Sequence, residues 1–467
     1  DASTRTTTAF NASGAAPRAA NPDIFRNGIP LRGLKAASVP GLVDCWFELH
    51  RRYSSFSMES LLVPAITYAE QGFPAGYEYA TVMRGAFESF PPEWGQHMLK
   101  LLTGLDRPPD PGEMIRQPDL AWTLSQIAER GRDAFYDGSV TERIVAFSQA
   151  NGGLFNREDF ANHRTQISEP IRIDYRGYTV HGQPPVSQGM ILLEELNLVE
   201  GFELRSMGWG TADTVHVMVE AKKLAFADRI AYLGDPAFVE VPLATLLSKE
   251  YATRRRQSID LCRAAGGVQA GNLHHDTTYF CVADRHGNAV SFIQSIFHGF
   301  GCGVVAEGTG VLFNNRMNGF SLDPNSPNCL VPGKRPAHTL NAYIITQGDQ
   351  LAWVGGTPGG DVQVQSNLQV ICNLIDFGMN PQQAIEAPRW QHTPTIFSPD
   401  STETGILEME DRFPEATRQE LVARGHLVRT LGPWGHSSRY QLIAIDPDTG
   451  TYFAGSDPRC EGHAAGY

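Results

Sequence analysis

The chain has 467 residues and a formal net charge of −13, and 42% of it is hydrophobic, enough apolar sequence for a large buried core. With only 19% charged residues and many aromatics, a disordered chain is excluded. The acidic balance argues against a nucleic-acid groove or an anionic membrane surface as partner, and no run approaches the roughly 18 apolar residues of a membrane helix.

Residues 1–10 read as a turn followed by a strand, not as a natural start. The part up to about residue 270 is mostly helical by periodicity. Residues 57–72 place apolar side chains at helical spacing and end on Gly72, and 120–132, 140–150 and 211–233 follow the same pattern. Between them, 171–181 alternates and predicts a hairpin. Residues 263–276 are small, glycine-rich and aperiodic, which predicts a mobile linker. Beyond it the texture changes. Strands are expected over 277–284 and 289–297 around a turn at 285–288, then over 342–345 and 351–354. A helix is expected over 363–377, stopped by Gly378, and a last hairpin over 441–445 and 451–454. Helices flanking antiparallel strands imply a layered α/β domain built on both halves.

The seven cysteines, Cys45, Cys262, Cys281, Cys302, Cys329, Cys372 and Cys460, form no C-x-x-C pair. That argues against a disulfide framework or a zinc ribbon, and no metal motif is present. Reduced thiols suit a cytoplasmic location, with the periplasm as the alternative.

Three features carry chemistry. The linker ends where Thr277-Thr278 opens a strand. A threonine hydroxyl becomes a useful nucleophile beside a general base, and an α-amine, with a pKa of roughly 7.7–8.0, is one. Producing it requires cutting the chain between Asp276 and Thr277; the plainer reading is β-propensity. Gly355-Gly356-Thr357-Pro358-Gly359-Gly360 follows a strand and suits an oxyanion hole or an ordinary glycine turn. Asn314-Asn315-Arg316 and Lys334-Arg335-Pro336 read alone as solvated loops with surface cations.

Taken together and in order, these stretches resemble the γ-glutamyltranspeptidase family. Asp284, Gly287-Asn288-Ala289-Val290, Ala387-Pro388-Arg389, Ser456-Asp457-Pro458-Arg459 and Ala465-Gly466-Tyr467 extend the resemblance over the second half. Ser38-Val39-Pro40-Gly41, Phe135-Tyr136-Asp137-Gly138, Tyr175-Arg176-Gly177-Tyr178, Pro184-Pro185 and the run 228–235 extend it over the first. The resemblance implies an αββα four-layer sandwich of the N-terminal-nucleophile hydrolase type. It also implies one precursor that cleaves itself into a large subunit, 1–276, and a small one, 277–467, together forming one domain. The resemblance further implies that this sequence lacks several dozen N-terminal residues, including a Gly-rich strand that lines the site. A homodimer of the processed pair is an assembly consistent with the family. No cofactor is required.

Residue by residue, the resemblance gives Thr277 the nucleophile's role, Ser295 that of a hydroxyl bonded to the nucleophile, and Gly359 and Gly360 the oxyanion hole. The glutamate-reading pocket departs from the family. Ser13 falls near the place of an arginine that clamps the α-carboxylate. Phe297 stands for an asparagine, Arg316 for a glutamine, Gly319 for the aspartate that pairs with the α-ammonium, and His338 and Thr339 for two serines. Removing one partner of a desolvated charge pair costs about 3–5 kcal/mol. With the aspartate gone and a guanidinium present, the pocket should repel an ammonium and hold an anion, through Arg316, His338 and Arg439. The leading expectation is hydrolysis of a small anionic amide such as oxamate, a reaction of purine breakdown. The alternatives are a γ-glutamyltranspeptidase or glutathione hydrolase with a rebuilt pocket, a cephalosporin-type acylase, and an unprocessed scaffold protein.

Overall fold

The structure is a computed structural model that describes residues 1–266, 268–269, 275–393, 396–397, 405–446 and 448–467. Its first strand, β1 (Ala9–Asn11), follows a turn. Helix α1 (Leu42–Tyr53) comes next. Helix α2 (Met58–Gln71) is capped by Ser57, whose hydroxyl accepts the Ser60 amide, and it stops at Gly72 with φ 102°. The helix expected over 120–132 is α3 (Pro118–Arg130). It ends earlier because Gly131 takes φ 75°, a conformation that favours glycine. Helix α4 (Ser139–Ala150) completes this group, and its core unites Val43, Leu124, Ile127, Val140 and Ile144 with Phe313.

Next come β2 (Gln166–Ser168), which pairs with β1, and the hairpin of β3 (Ile171–Tyr175) and β4 (Tyr178–Gly182). Two core helices follow, α5 (Gly189–Val199) and α6 (Ala212–Tyr232). Every residue of α5 is buried, so it shows no amphipathic stripe to be read from sequence.

The linker expected over 263–276 is only partly a loop. Val268–Gln269 pairs with Ile396–Phe397, and strand β5 (His275–Ala283) starts before Thr277 because its pairing with β6 (Ala289–His298) continues past it. Residues 267 and 270–274 of that stretch lie outside the described residues. The chain then forms β7 (Tyr343–Gln347), β8 (Gln350–Gly356), helix α7 (Val362–Ile375), β9 (Gln441–Ile445) and β10 (Tyr452–Ser456).

Six strands make one antiparallel sheet in the order β10-β9-β8-β7-β4-β3. Two come from before residue 276 and four from after it, so one sheet needs both halves. Helices α5, α6 and α7 cover this sheet through the largest core, which includes Val180, Leu193, Phe226, Tyr343 and Leu368. The β5–β6 hairpin packs against β8 and β9. With the α1–α4 group, the layers run helix, sheet, hairpin, helix, the αββα order that the resemblance implies. Among the described residues no helix is long and apolar enough to cross a membrane.

Candidate active site

Thr277 lies in β5 at an irregular step of the ladder. Asp276 faces Phe297, but Thr277 faces Ser295, so Ile296 has no opposite number. The bulge turns the β6 backbone sharply, and Phe297 takes φ 81°, strained for a bulky residue. It also sets Thr277 beside Ser295: the Thr277 hydroxyl donates to Ser295 Oγ at 3.1 Å, and Ser295 Oγ also accepts the Phe297 amide at 2.8 Å.

Thr277 and Ser295 line a cleft of about 1120 Å³ together with Asn11, Ser13, Gln183, Arg316 and His338. Arg316 is held by its neighbours: Asn314 Oδ1 accepts the Arg316 amide at 2.9 Å and ties the same turn to Ser38. The Arg316 guanidinium is buried, and its Nη1 and Nη2 have no hydrogen-bond partner among the described residues. Its Cζ sits 4.9 Å from the centre of the Phe297 ring, a cation–π contact. Burial alone pushes its pKa down to about 9, with no carboxylate to raise it again. His338 is pushed down to about 3 by burial and then by the Arg316 charge, so it is neutral at physiological pH. His338 Nε2 lies 3.5 Å from Asn11 Oδ1, while its Nδ1, Asn11 Nδ2, Ser13 Oγ and Gln183 Oε1 also lack partners. Arg316 Nη1 and Nη2, Asn11 Nδ2 and the Ser13 hydroxyl can donate into this space, whereas Gln183 Oε1 and the His338 Nδ1 lone pair accept; four donors around one cation with no carboxylate partner among the described residues suit an anion.

Several motif residues serve to hold this wall. Arg335 donates to the Ser13 carbonyl at 2.9 Å. Gly14 passes so close to Val39 that a Cβ would lie 1.7 Å from its carbonyl oxygen. Lys334 is buried and donates to the Pro327 carbonyl at 2.7 Å. Of the two cations of this motif, Lys334 is buried and Arg335 half-buried.

Gly359 (φ 129°) and Gly360 (φ 56°) form the turn into α7. Gly356, at the end of β8, abuts the Tyr279 ring, where a Cβ would come within 2.5 Å, so the pair follows shortly after a strand end that touches β5 near Thr277. The hydrogen bonds of the turn run to its carbonyls: Gly359 O accepts the Val362 amide, and Gly360 O accepts the Gln363 amide and Gln188 Nε2. The buried Gln188 also donates to the Thr339 carbonyl at 2.7 Å and accepts from Arg229, which is paired with Asp361. One side chain thus clamps the 338–339 loop to the glycine turn. On the other side the turn meets the 435–440 loop, where Thr357 Oγ1 accepts the Arg439 amide at 2.8 Å. The buried ion-pair network of Arg389, Asp457, Arg459 and Glu410 anchors that loop through Ser438.

Thr339, Phe297, Arg439, Gly359 and Gly360 are not among the residues lining the cleft. Arg439 is turned away because its guanidinium is occupied by the carbonyls of its own loop, His436 and Ser438. The residues not singled out from sequence are Asn11, Gln183 and Gln188. Asn11 is the last residue of β1, one beyond the stretch read as a turn and strand, and Gln188 precedes α5, a helix that the sequence did not reveal. Among the described residues one cluster has metal-ligand chemistry, His216, Glu220 and His426, and it does not line the cleft.

A γ-glutamyltranspeptidase family model matches residues 1–467. The chain is 38% identical to a glutathione hydrolase-like YwrD proenzyme of Bacillus subtilis, over 99% of this chain and 87% of that one. It is 34% identical to an oxamate amidohydrolase proenzyme of Klebsiella pneumoniae, over 98% and 87%. The crystal structure of a cephalosporin acylase from Bacillus halodurans superposes with a TM-score of 0.89 at 38% identity, covering 98% of this chain and 84% of that one.

Proposed function

The chain belongs to the γ-glutamyltranspeptidase family, and within it we propose an autoprocessed amidohydrolase that acts on small amides whose acyl group carries a carboxylate, oxamate being the simplest. Processing breaks the Asp276–Thr277 bond into fragments 1–276 and 277–467. The Thr277 hydroxyl attacks the Asp276 carbonyl, the resulting ester is hydrolysed by water, and the Thr277 α-amine is released as a general base.

In turnover, Thr277 Oγ1 attacks the substrate amide while its α-amine takes the hydroxyl proton. Ser295 orients the hydroxyl, and the amides of Gly359 and Gly360 receive the developing oxyanion. The proton passes to the leaving nitrogen. Water then cleaves the acyl-enzyme, so oxamate and water would yield oxalate and ammonia. Arg316 holds the acyl carboxylate, helped by Asn11 and Ser13.

The observation that carries this reading is the buried, unpaired Arg316 with no carboxylate near it. A substrate anion would supply the missing partner, whereas the α-ammonium of a γ-glutamyl group would meet a like charge. The relative named oxamate amidohydrolase supports the same class. The test is Thr277-dependent ammonia release from oxamate; processed enzyme that releases none would reject oxamate as substrate.

A second reading is acylase activity on larger amides. Leu42, Trp46, Leu49 and Tyr53, spaced along one face of α1, all line the cleft, and a longer apolar acyl group could lie against them. The glutathione hydrolase alternative is disfavoured by Arg316. The scaffold alternative predicts a chain that stays uncut on a denaturing gel.

A further inference from the structure

His216 and Glu220 stand one turn apart on α6 and so share a face. His426 reaches them from the segment between the helix Glu415–Ala423 and the strand Leu427–Leu431. All three are buried, and one ligand atom from each lies within 4.8 Å of the others.

The proton on His216 is fixed. Its Nε2 lies 2.7 Å from the Asp260 carbonyl, which can only accept, so Nδ1 carries a lone pair. That lone pair points at His426 Nε2, 2.8 Å away. In this structure His426 Nε2 therefore donates to His216, while His426 Nδ1 is buried with no partner among the described residues and is the other position open to that proton. Moving it to Nδ1 turns two imidazole lone pairs and a carboxylate toward one point. Glu220 Oε1 accepts Lys223 Nζ at 2.7 Å and Oε2 accepts the Ala265 amide at 3.2 Å, which leaves a lone pair on each oxygen. A carbonyl behind a histidine and hydrogen bonds behind a carboxylate are the outer-shell contacts that orient metal ligands.

We propose that His216, Glu220 and His426 form a binding site for a divalent transition metal, zinc by the donor set of two imidazoles and one carboxylate. The site lies apart from the cleft. It joins α6 and residues 260–265, which lead toward the Asp276–Thr277 bond, to His426 in the other half of the chain. The metal would therefore act as a staple between the two halves, and it takes no part in the amide chemistry. Lys223 competes for the same carboxylate and limits the affinity.

The experiment uses the full chain, purified without a histidine tag, and measures bound metal and thermal stability with and without added zinc. The expected result is about one zinc per chain, a melting temperature raised by several degrees on zinc addition, and loss of both in His426→Gln, which keeps a hydrogen-bond donor toward His216 but removes the imidazole ligand. Cobalt substitution of the wild-type chain is read independently of any variant, as the visible absorption of four-coordinate cobalt with nitrogen ligands. Background zinc together with no cobalt spectrum would overturn the proposal, as would undiminished zinc in a folded His216→Gln/His426→Gln double variant.

Discussion

At the scale of single residues, Arg316 sets both the chemistry and a stability cost. Its lowered pKa means that the unfolded chain holds a proton more tightly than the folded one, so the buried charge weakens the fold at neutral pH and the penalty is relieved above pH 9 or so. Arg316→Met is therefore expected to abolish turnover of anionic amides while stabilising the protein by about 1–3 kcal/mol, read as a rise in melting temperature. The same group sets a pH limit. Arg316 binds an anion only while charged, so kcat/KM should fall as pH rises through about 9, a limb measurable on the processed enzyme. Ser295→Ala removes one neutral hydrogen bond to the nucleophile, worth about 1 kcal/mol, and should lower kcat roughly fivefold to tenfold with the fold intact.

At the scale of elements, the catalytic geometry depends on loops held from behind. Gln188, just before α5, bonds the carbonyls of both Thr339 and Gly360. Gln188→Leu leaves both carbonyls and Arg229 short of a partner. It should lower kcat at least about tenfold while KM changes little, because the glycine turn moves and the anion seat does not; an equal rise in KM would mean that the residue holds the substrate seat instead. Elements with a strong local signature were legible from sequence: the helix ending at Gly72, the hairpin expected over 171–181, and both strands after Thr277. The fully buried α5 was not, since it buries every face, Glu194, Glu195 and Asn197 included, and so has no polar stripe to set a period. The extension of β5 to His275 was not legible either, because its cause is pairing with His298 across the hairpin rather than any local propensity.

At the scale of the whole molecule, motif order was enough to imply the family and the layered fold, whereas the partners of individual side chains were not readable. Arg389, Arg459 and Lys334 stood in motifs, yet all three are buried and bonded within the protein. Arg439 spends its guanidinium on its own loop, which no spacing rule could show. Likewise, His216 and Glu220 lie four residues apart on an expected helix, but only the fold brings in His426. The central sheet takes β3 and β4 from before residue 276 and its other strands from after it. Processing should therefore yield fragments 1–276 and 277–467 that co-elute under native conditions and separate only in denaturant, while Thr277→Ala stays a single chain; mass spectrometry of both samples checks this.

The most direct test of the anion seat compares two anilides that differ only in the α-ammonium: glutaryl-p-nitroanilide and γ-glutamyl-p-nitroanilide. With processed enzyme, and Thr277→Ala as the blank, kcat/KM should favour the glutaryl compound by about a hundredfold or more, as expected when one substrate sets an ammonium against an unpaired guanidinium. A preference for the γ-glutamyl compound would contradict the account and return the protein to the glutathione-cleaving members of its family.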